Sequence, residues 1–116
     1  MRPGLEAGYD FTVEGDLLTD VGGALPVSVL ATPQMIGVME RCAVMAVHEH
    51  YPEGKASVGF EVCVKHVAGA PEGATCTVRA VLREVAEERK LRFDVEVTEG
   101  DRVIGVGTHE RRLVST

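Results

Sequence analysis

The chain predicts an α+β fold, one long helix packed on an antiparallel sheet, and three observations carry that expectation. A single stretch with helical periodicity opens at Thr32-Pro33 and runs to about His50. Four segments of strand-like alternation follow, near 57–67, 74–85, 90–98 and 102–114, with only short turns between them. Consecutive strands on short loops pair antiparallel, and the helix then has one face of the sheet to pack on. At 116 residues the chain fits one domain, 1–116, large enough for a real core.

Before the helix, Tyr9-Asp10-Phe11-Thr12-Val13 reads as a short strand. A Gly-Asp turn follows, then a Gly- and Pro-punctuated stretch through Gly22-Gly23-Ala24-Leu25-Pro26 that covers the core rather than forming it. At the helix start the Thr32 hydroxyl can cap free amides, and proline suits the first turn. Tyr51-Pro52-Glu53-Gly54 stops the helix, and Met35, Met39 and Met45 are read as core packing. The first strand after the helix ends at Gly69-Ala70-Pro71-Glu72-Gly73. In the third, Leu91, Phe93, Val95 and Val97 share one face and Arg92, Asp94 and Glu96 the other, the pattern of a half-buried strand. Glu99-Gly100-Asp101 is a tight turn, and Gly105-Val106-Gly107 marks a kink in the last strand. An antiparallel sheet has edges, and one helix covers only part of a face, so edge-to-edge pairing with a second copy is expected.

The net charge of −6, with acids and bases interspersed, leaves no basic stripe for a phosphate backbone, so nucleic acid is not an expected partner. No apolar run is long enough to span a membrane, and no apolar segment follows Arg2 as in a signal peptide. The cytoplasm is the expected location. Cys42, Cys63 and Cys76 lie in apolar stretches without paired spacing and read as buried, reduced thiols. At helical spacing His48 and His50 point about 160° apart, which argues against a metal pair.

Glu40 is the most informative residue. With Met35 at 0° on a helical wheel, Ile36, Ala43 and Val47 fall between about 80° and 120° and Glu40 near 140°, within the apolar arc. Gly37, Arg41 and His48 make the polar face. A carboxylate turned toward a core costs several kcal/mol unless it is bonded, neutralised or facing a cavity, so Glu40 either faces a cavity or bends from the arc's edge to water. His66 departs from pattern in the same way: it continues the row Val58, Phe60, Val62, Val64, and should face the helix with that row. Together an inward acid and an inward imidazole can activate a water. Thr32 reads first as an N-cap; at a reaction centre its hydroxyl also faces developing negative charge. Eight residues, roughly 12 Å on a straight helix, separate it from Glu40. Either Thr32 leaves the helix axis or a second subunit supplies one of them. Gly59, in a strand, lets a ligand approach the backbone closely. Arg111 and Arg112 read as solvated charges, one of which can meet a phosphate.

These residues fall in an order that resembles a known family. Thr32-Pro33-Gln34-Met35-Ile36-Gly37-Val38-Met39-Glu40, Gly59 through Val62-Cys63-Val64-Lys65-His66, Pro71-Glu72-Gly73, and Gly105-Val106-Gly107-Thr108-His109-Glu110-Arg111 are similar to the fluoroacetyl-CoA thioesterase-like branch of the hot-dog superfamily. The resemblance covers the chain from about Ala31 onward. It implies a hot-dog fold, a long helix wrapped by a curved antiparallel sheet, two copies of which join edge to edge as a homodimer or a dimer of dimers. It also implies hydrolysis of a small or medium acyl-CoA, with coenzyme A as part of the substrate and no separate cofactor or metal. By motif position Thr32, Glu40 and His66 are catalytic, with Glu40 either activating a water or attacking directly to give a short-lived anhydride, Gly59 is a backbone contact near the thioester oxygen, and Arg111 lies near the substrate. The family's segment ahead of the threonine carries aromatic side chains that close over the acyl group. Val21 to Val27 carries none, which leaves room for a different or larger acyl chain. Two other activities fit the same residues: acyl-CoA binding without hydrolysis, and dehydration of a 3-hydroxyacyl thioester.

Overall fold

A computed structural model describes all residues from Met1 to Thr116. The elements are β1 (Glu6–Thr12), β2 (Leu18–Thr19), β3 (Val29–Leu30), α1 (Thr32–Val47), β4 (Lys55–His66), β5 (Thr75–Ala86), β6 (Lys90–Glu99) and β7 (Arg102–Ser115), with 3-10 turns at Gly15–Leu17 and His48–His50. The expected helix thus ends three residues early, its last turn tightening to 3-10 before Pro52. Five strands form one sheet in the order β1-β5-β6-β7-β4, every pair antiparallel, while β2 and β3 pair separately beneath the start of α1. No helix is long and apolar enough to cross a membrane.

Alternation decides which side of each strand meets α1. Cys76, Val78, Ala80 and Leu82 of β5 and Leu91, Phe93, Val95 and Val97 of β6 are buried against Met35, Val38, Met39, Cys42, Ala43, Ala46 and Val47. The buried arc of α1 centres near Met39 and Ala46, so Glu40 lies at its border and its side chain keeps 39% of its exposure. Two expectations fail on the same geometry. Met45 points away from the sheet and is 47% exposed, and Cys63 lies on the outer face of β4 and is exposed, unlike buried Cys42 and Cys76.

Three β-bulges shape the sheet, between Gly59 and Glu61 against β7, Leu82 and Glu84 against β6, and Val97 and Thr98 against β7. Each adds local twist, and together they curl the sheet around the helix. The first overturns the single apolar row expected for β4. Before the bulge Gly59 pairs with Arg111 and faces α1, so Val58 and Phe60 are exposed; after it Val64 and His66 are half-buried, while Val62 stays 37% exposed. Phe60 stacks instead on the Arg112 guanidinium, 3.6 Å from ring centre to carbon.

The glycines of β7 reflect close approach rather than a kink alone. A Cβ at Gly107 would overlap the backbone carbonyl of Cys63 and the Cα of Val64, whereas one at Gly105 would meet the flexible ends of Met35 and Met39. Backbone cannot yield as a methionine can, so Gly107→Ala is expected to cost about 3 kcal/mol, on the order of 10 °C in Tm, and Gly105→Ala less than half of that. Thermal melts of the two variants check the ranking, and equal losses would contradict it.

Candidate active site

Two groups of polar side chains occupy the inner surface. The first joins the start of α1 to the end of β4. Ala31, not Thr32, is the N-cap residue, and no side chain caps the helix. Thr32 is the first helical residue, and its hydroxyl lies 2.7 Å from His66 Nδ1. The expected capping role is therefore replaced by a hydroxyl–imidazole pair. His66 Nε2 is buried and has no partner within the chain. Burial pushes the imidazole below its ordinary pKa, with the Ala68 backbone acting the other way.

The second group gathers Glu40 from α1, Gly59 from β4, and His109 and Arg111 from β7. A side chain at Gly59 would begin 3.1 Å from Glu40 Oε2, 3.6 Å from Arg111 Nη1 and 3.7 Å from His109 Cε1, so glycine leaves a vacant spot at the meeting point. Arg111 is not the solvated charge its position near the chain end suggests; it is 8% exposed. Its Nε donates to Ser57 Oγ at 2.8 Å and its Nη2 to the Ser57 carbonyl at 3.0 Å, while Tyr51 hydrogen-bonds the same Ser57 hydroxyl. Nη1 lies 3.9 Å from Glu40 Oε2. A buried guanidinium needs an opposite charge, and Glu40 supplies it. Beside them an open groove of about 590 Å³ is lined by Gly37, Glu40, Arg41, Val44, Met45, His48 and Arg111.

His109 escaped the reading of the sequence. It is 2% exposed, and its Nδ1 lies 2.8 Å from the Glu61 carbonyl oxygen. The signal was available in β7, where Gly105, Gly107, His109 and Arg111 share one parity.

Within one chain the two groups stay apart. Thr32 and Glu40 are roughly 12 Å apart along α1. Gly59 and His66 are separated by seven residues of β4, roughly 20 Å. The structure thus brings Thr32 to His66, and Glu40 to Gly59 and Arg111, but does not bring the acid to the imidazole of the same chain.

One helix enclosed by a curved antiparallel sheet, with ionisable groups on the inner surface that the helix leaves open, defines the hot-dog fold. The particular family follows from sequence: the model of the fluoroacetyl-CoA-specific thioesterase family matches residues 13–116, and the chain belongs to that family. A fluoroacetyl-CoA thioesterase of Streptantibioticus cattleyicolor is 43% identical over 86 residues, 74% of this chain and 61% of the relative's length. A mutant of the fluoroacetyl-CoA-specific thioesterase, solved in complex with fluoroacetate and CoA, superposes with a TM-score of 0.87 at 36% identity, covering 99% of this chain and 96% of that one. A thioesterase superfamily member from Thermus thermophilus gives a TM-score of 0.85 at 27% identity, covering 98% of this chain and 84% of its own.

Both site histidines bind a proton more weakly folded than unfolded, His66 through burial and His109 through burial and the charge of Arg111. The unfolded chain therefore takes up more protons as pH falls through the ordinary value of 6.5 toward the folded values, and stability present above that value is lost across the window. Glu87 and Glu110, whose pKa values are lowered by basic partners, act only below their ordinary 4.5. Tm is expected to drop between pH 7.5 and 5.5, and to drop less in His66→Asn and His109→Gln. Melts across that range read the slope, and a wild-type Tm rising toward pH 5.5 would contradict the assignment.

Proposed function

We propose that the protein hydrolyses a small or medium acyl-CoA thioester to the free acid and CoA, as a homodimer whose sites are each built from two chains. The observation that carries this reading is the Glu40 carboxylate set against the side-chain-free backbone of Gly59, with the Arg111 guanidinium beside it. The thioester carbonyl fits at Gly59, where a backbone N–H gains strength as charge grows on the oxygen. Glu40 takes a proton from water as the water oxygen bonds to the carbonyl carbon. The tetrahedral adduct then collapses, the C–S bond breaks, and the proton returns to the departing CoA sulfur. Thr32 and His66 hold the water and relay the proton. Water and side chains supply all of this chemistry, so no cofactor or metal is required.

The two-chain site follows from β4. It is an edge strand of 12 residues, and Val58, Phe60 and Val62 along it are 48%, 58% and 37% exposed. A long edge with apolar side chains is a template for pairing. Antiparallel pairing of two copies about a two-fold axis midway between Gly59 and His66, at Val62–Cys63, sets Gly59 and Glu40 against His66 of the partner subunit. Thr32 of the partner subunit arrives with it. The curated fluoroacetyl-CoA thioesterase supports the reaction class. For the acyl group, the segment ahead of Thr32 offers Val21, Leu25 and Val27, all exposed, and no aromatic ring. That favours acyl chains beyond the fluoroacetyl size.

Glu40→Gln is expected to lower thiol release from acyl-CoAs by about a thousandfold or more while the dimer stays folded. Unchanged turnover would remove Glu40 from the chemistry, and ligand-dependent stabilisation without thiol release would favour a binding protein. Subunit mixing tests the shared site. When inactive Glu40→Gln and His66→Ala dimers are dissociated and re-formed together, about half of the dimers are mixed and each holds one intact site, so roughly a quarter of wild-type activity returns. No recovery would place each complete site within one chain.

A further inference from the structure

His109 sits among the groups of the proposed site, yet the reaction described above does not use it. Its ring stacks on Phe93, with centroids 6.1 Å apart and planes 25° from parallel, at the turn of the sheet beneath Gly59. Its two nitrogens face neighbours of opposite demand. Nδ1 is 2.8 Å from the Glu61 carbonyl oxygen, which can only accept, so Nδ1 carries the proton and donates it. Nε2 is 3.3 Å from Arg111 Nη1, which can only donate, so Nε2 is an unprotonated acceptor. The two contacts select one tautomer of the neutral ring. A protonated ring would turn an N–H toward an N–H and set two positive charges together in a buried place. Arg111 and Glu40 are the charged groups that act on His109, one opposing and the other favouring its protonation.

The two bonds also have a shared consequence for position. Glu61 directly follows Phe60, the residue displaced by the β4 bulge, and Gly59, on the other side of that bulge, faces Glu40. Glu61 is where the pairing with β7 resumes after the bulge, and its carbonyl is the one that meets His109. From the same ring, Nε2 holds the arm of Arg111 that approaches Glu40.

We infer that His109 is a positioning residue for the hydrolysis, a neutral imidazole protonated on Nδ1 that locks the β4 bulge presenting the Gly59 backbone and fixes Arg111 Nη1 beside Glu40. This inference deepens the hydrolase reading and rests on it for the kinetic consequence, although the tautomer and the lock are properties of the folded chain alone.

Two measurements test it. In nitrogen-15 NMR of the wild-type dimer at pH 7, His109 should show a protonated Nδ1 and an unprotonated Nε2, and the Nε2 resonance should move in Arg111→Lys. A ring protonated on Nε2 or on both nitrogens would overturn the inference, whatever the protein hydrolyses. In kinetics, His109→Phe keeps a flat ring against Phe93 but removes both hydrogen bonds. It should lower kcat by about tenfold to a hundredfold, the scale of a misplaced reacting group, with KM for the acyl-CoA changed less than about threefold. His109→Gln, which restores an acceptor for Arg111, should recover part of kcat. Full kcat in a folded His109→Phe dimer would overturn the positioning role. A wild-type protein that releases no thiol from any acyl-CoA would instead overturn the hydrolase reading, and the tautomer would then decide the lock by itself.

Discussion

A single α-helix is about 10 Å across, whereas five strands at close to 4.8 Å spacing make a sheet about twice as wide. Most of the molecule's organisation follows from that mismatch. α1 lies mainly over β5 and β1, where Cys76, Val78, Ala80 and Leu82 are fully buried and Ala7, Tyr9 and Phe11 partly so, and it covers the β7–β4 side of the inner surface less completely. Curling the sheet through its three bulges closes part of the gap but not all of it. A second apolar layer would be needed to finish the core on that side. The sequence places Arg111, His109, Gly59 and His66 there instead, with Glu40 at the rim of the helix that faces them.

Those polar groups are tolerated because they satisfy one another. Arg111 uses Nε and Nη2 on Ser57, a residue of the same edge strand, and Nη1 lies near His109 and Glu40. Removing one member would leave the others buried without partners, which costs more than the pairing itself contributes. His66 is the exception: one nitrogen is matched by Thr32 and the other is left unmatched in the interior of a single chain. An exposed apolar edge occurs on the same strand, and the proposed two-fold pairing of β4 covers it.

How much of this was legible in the sequence depended on the range of the interaction involved. Leu91, Phe93, Val95 and Val97 could be assigned to one face because a strand's period is local, and the order of one helix and four strands was readable for the same reason. The β4 row could not be followed through Phe60, because a bulge is set by pairing with β7, some fifty residues away, and inverts the parity after it. Arg111 looked solvated near the end of the chain, but its burial depends on Ser57 and Glu40, which only the folded sheet brings near. Thr32 looked like a cap because Thr-Pro is common at a helix start. Its preference for His66 is a contact across 34 positions, which local pattern cannot express.

The family resemblance supplied what periodicity could not, the expectation that Thr32, Glu40 and His66 serve one chemistry. The folded chain qualifies this by separating them into a hydroxyl–imidazole pair and a carboxylate–guanidinium–glycine group. The two halves hold different parts of the proposed machinery: the hydroxyl and His66 in one, the carboxylate with Arg111 and His109 in the other. Under the proposed pairing, a division of that kind would make chemistry conditional on assembly. A lone subunit leaves the Glu40 carboxylate partly open to the groove beside Arg111. Pairing would enclose the carboxylate and bring it an imidazole whose basicity burial has already reduced. The same edge that makes the monomer prone to association would then be the element that completes its active site.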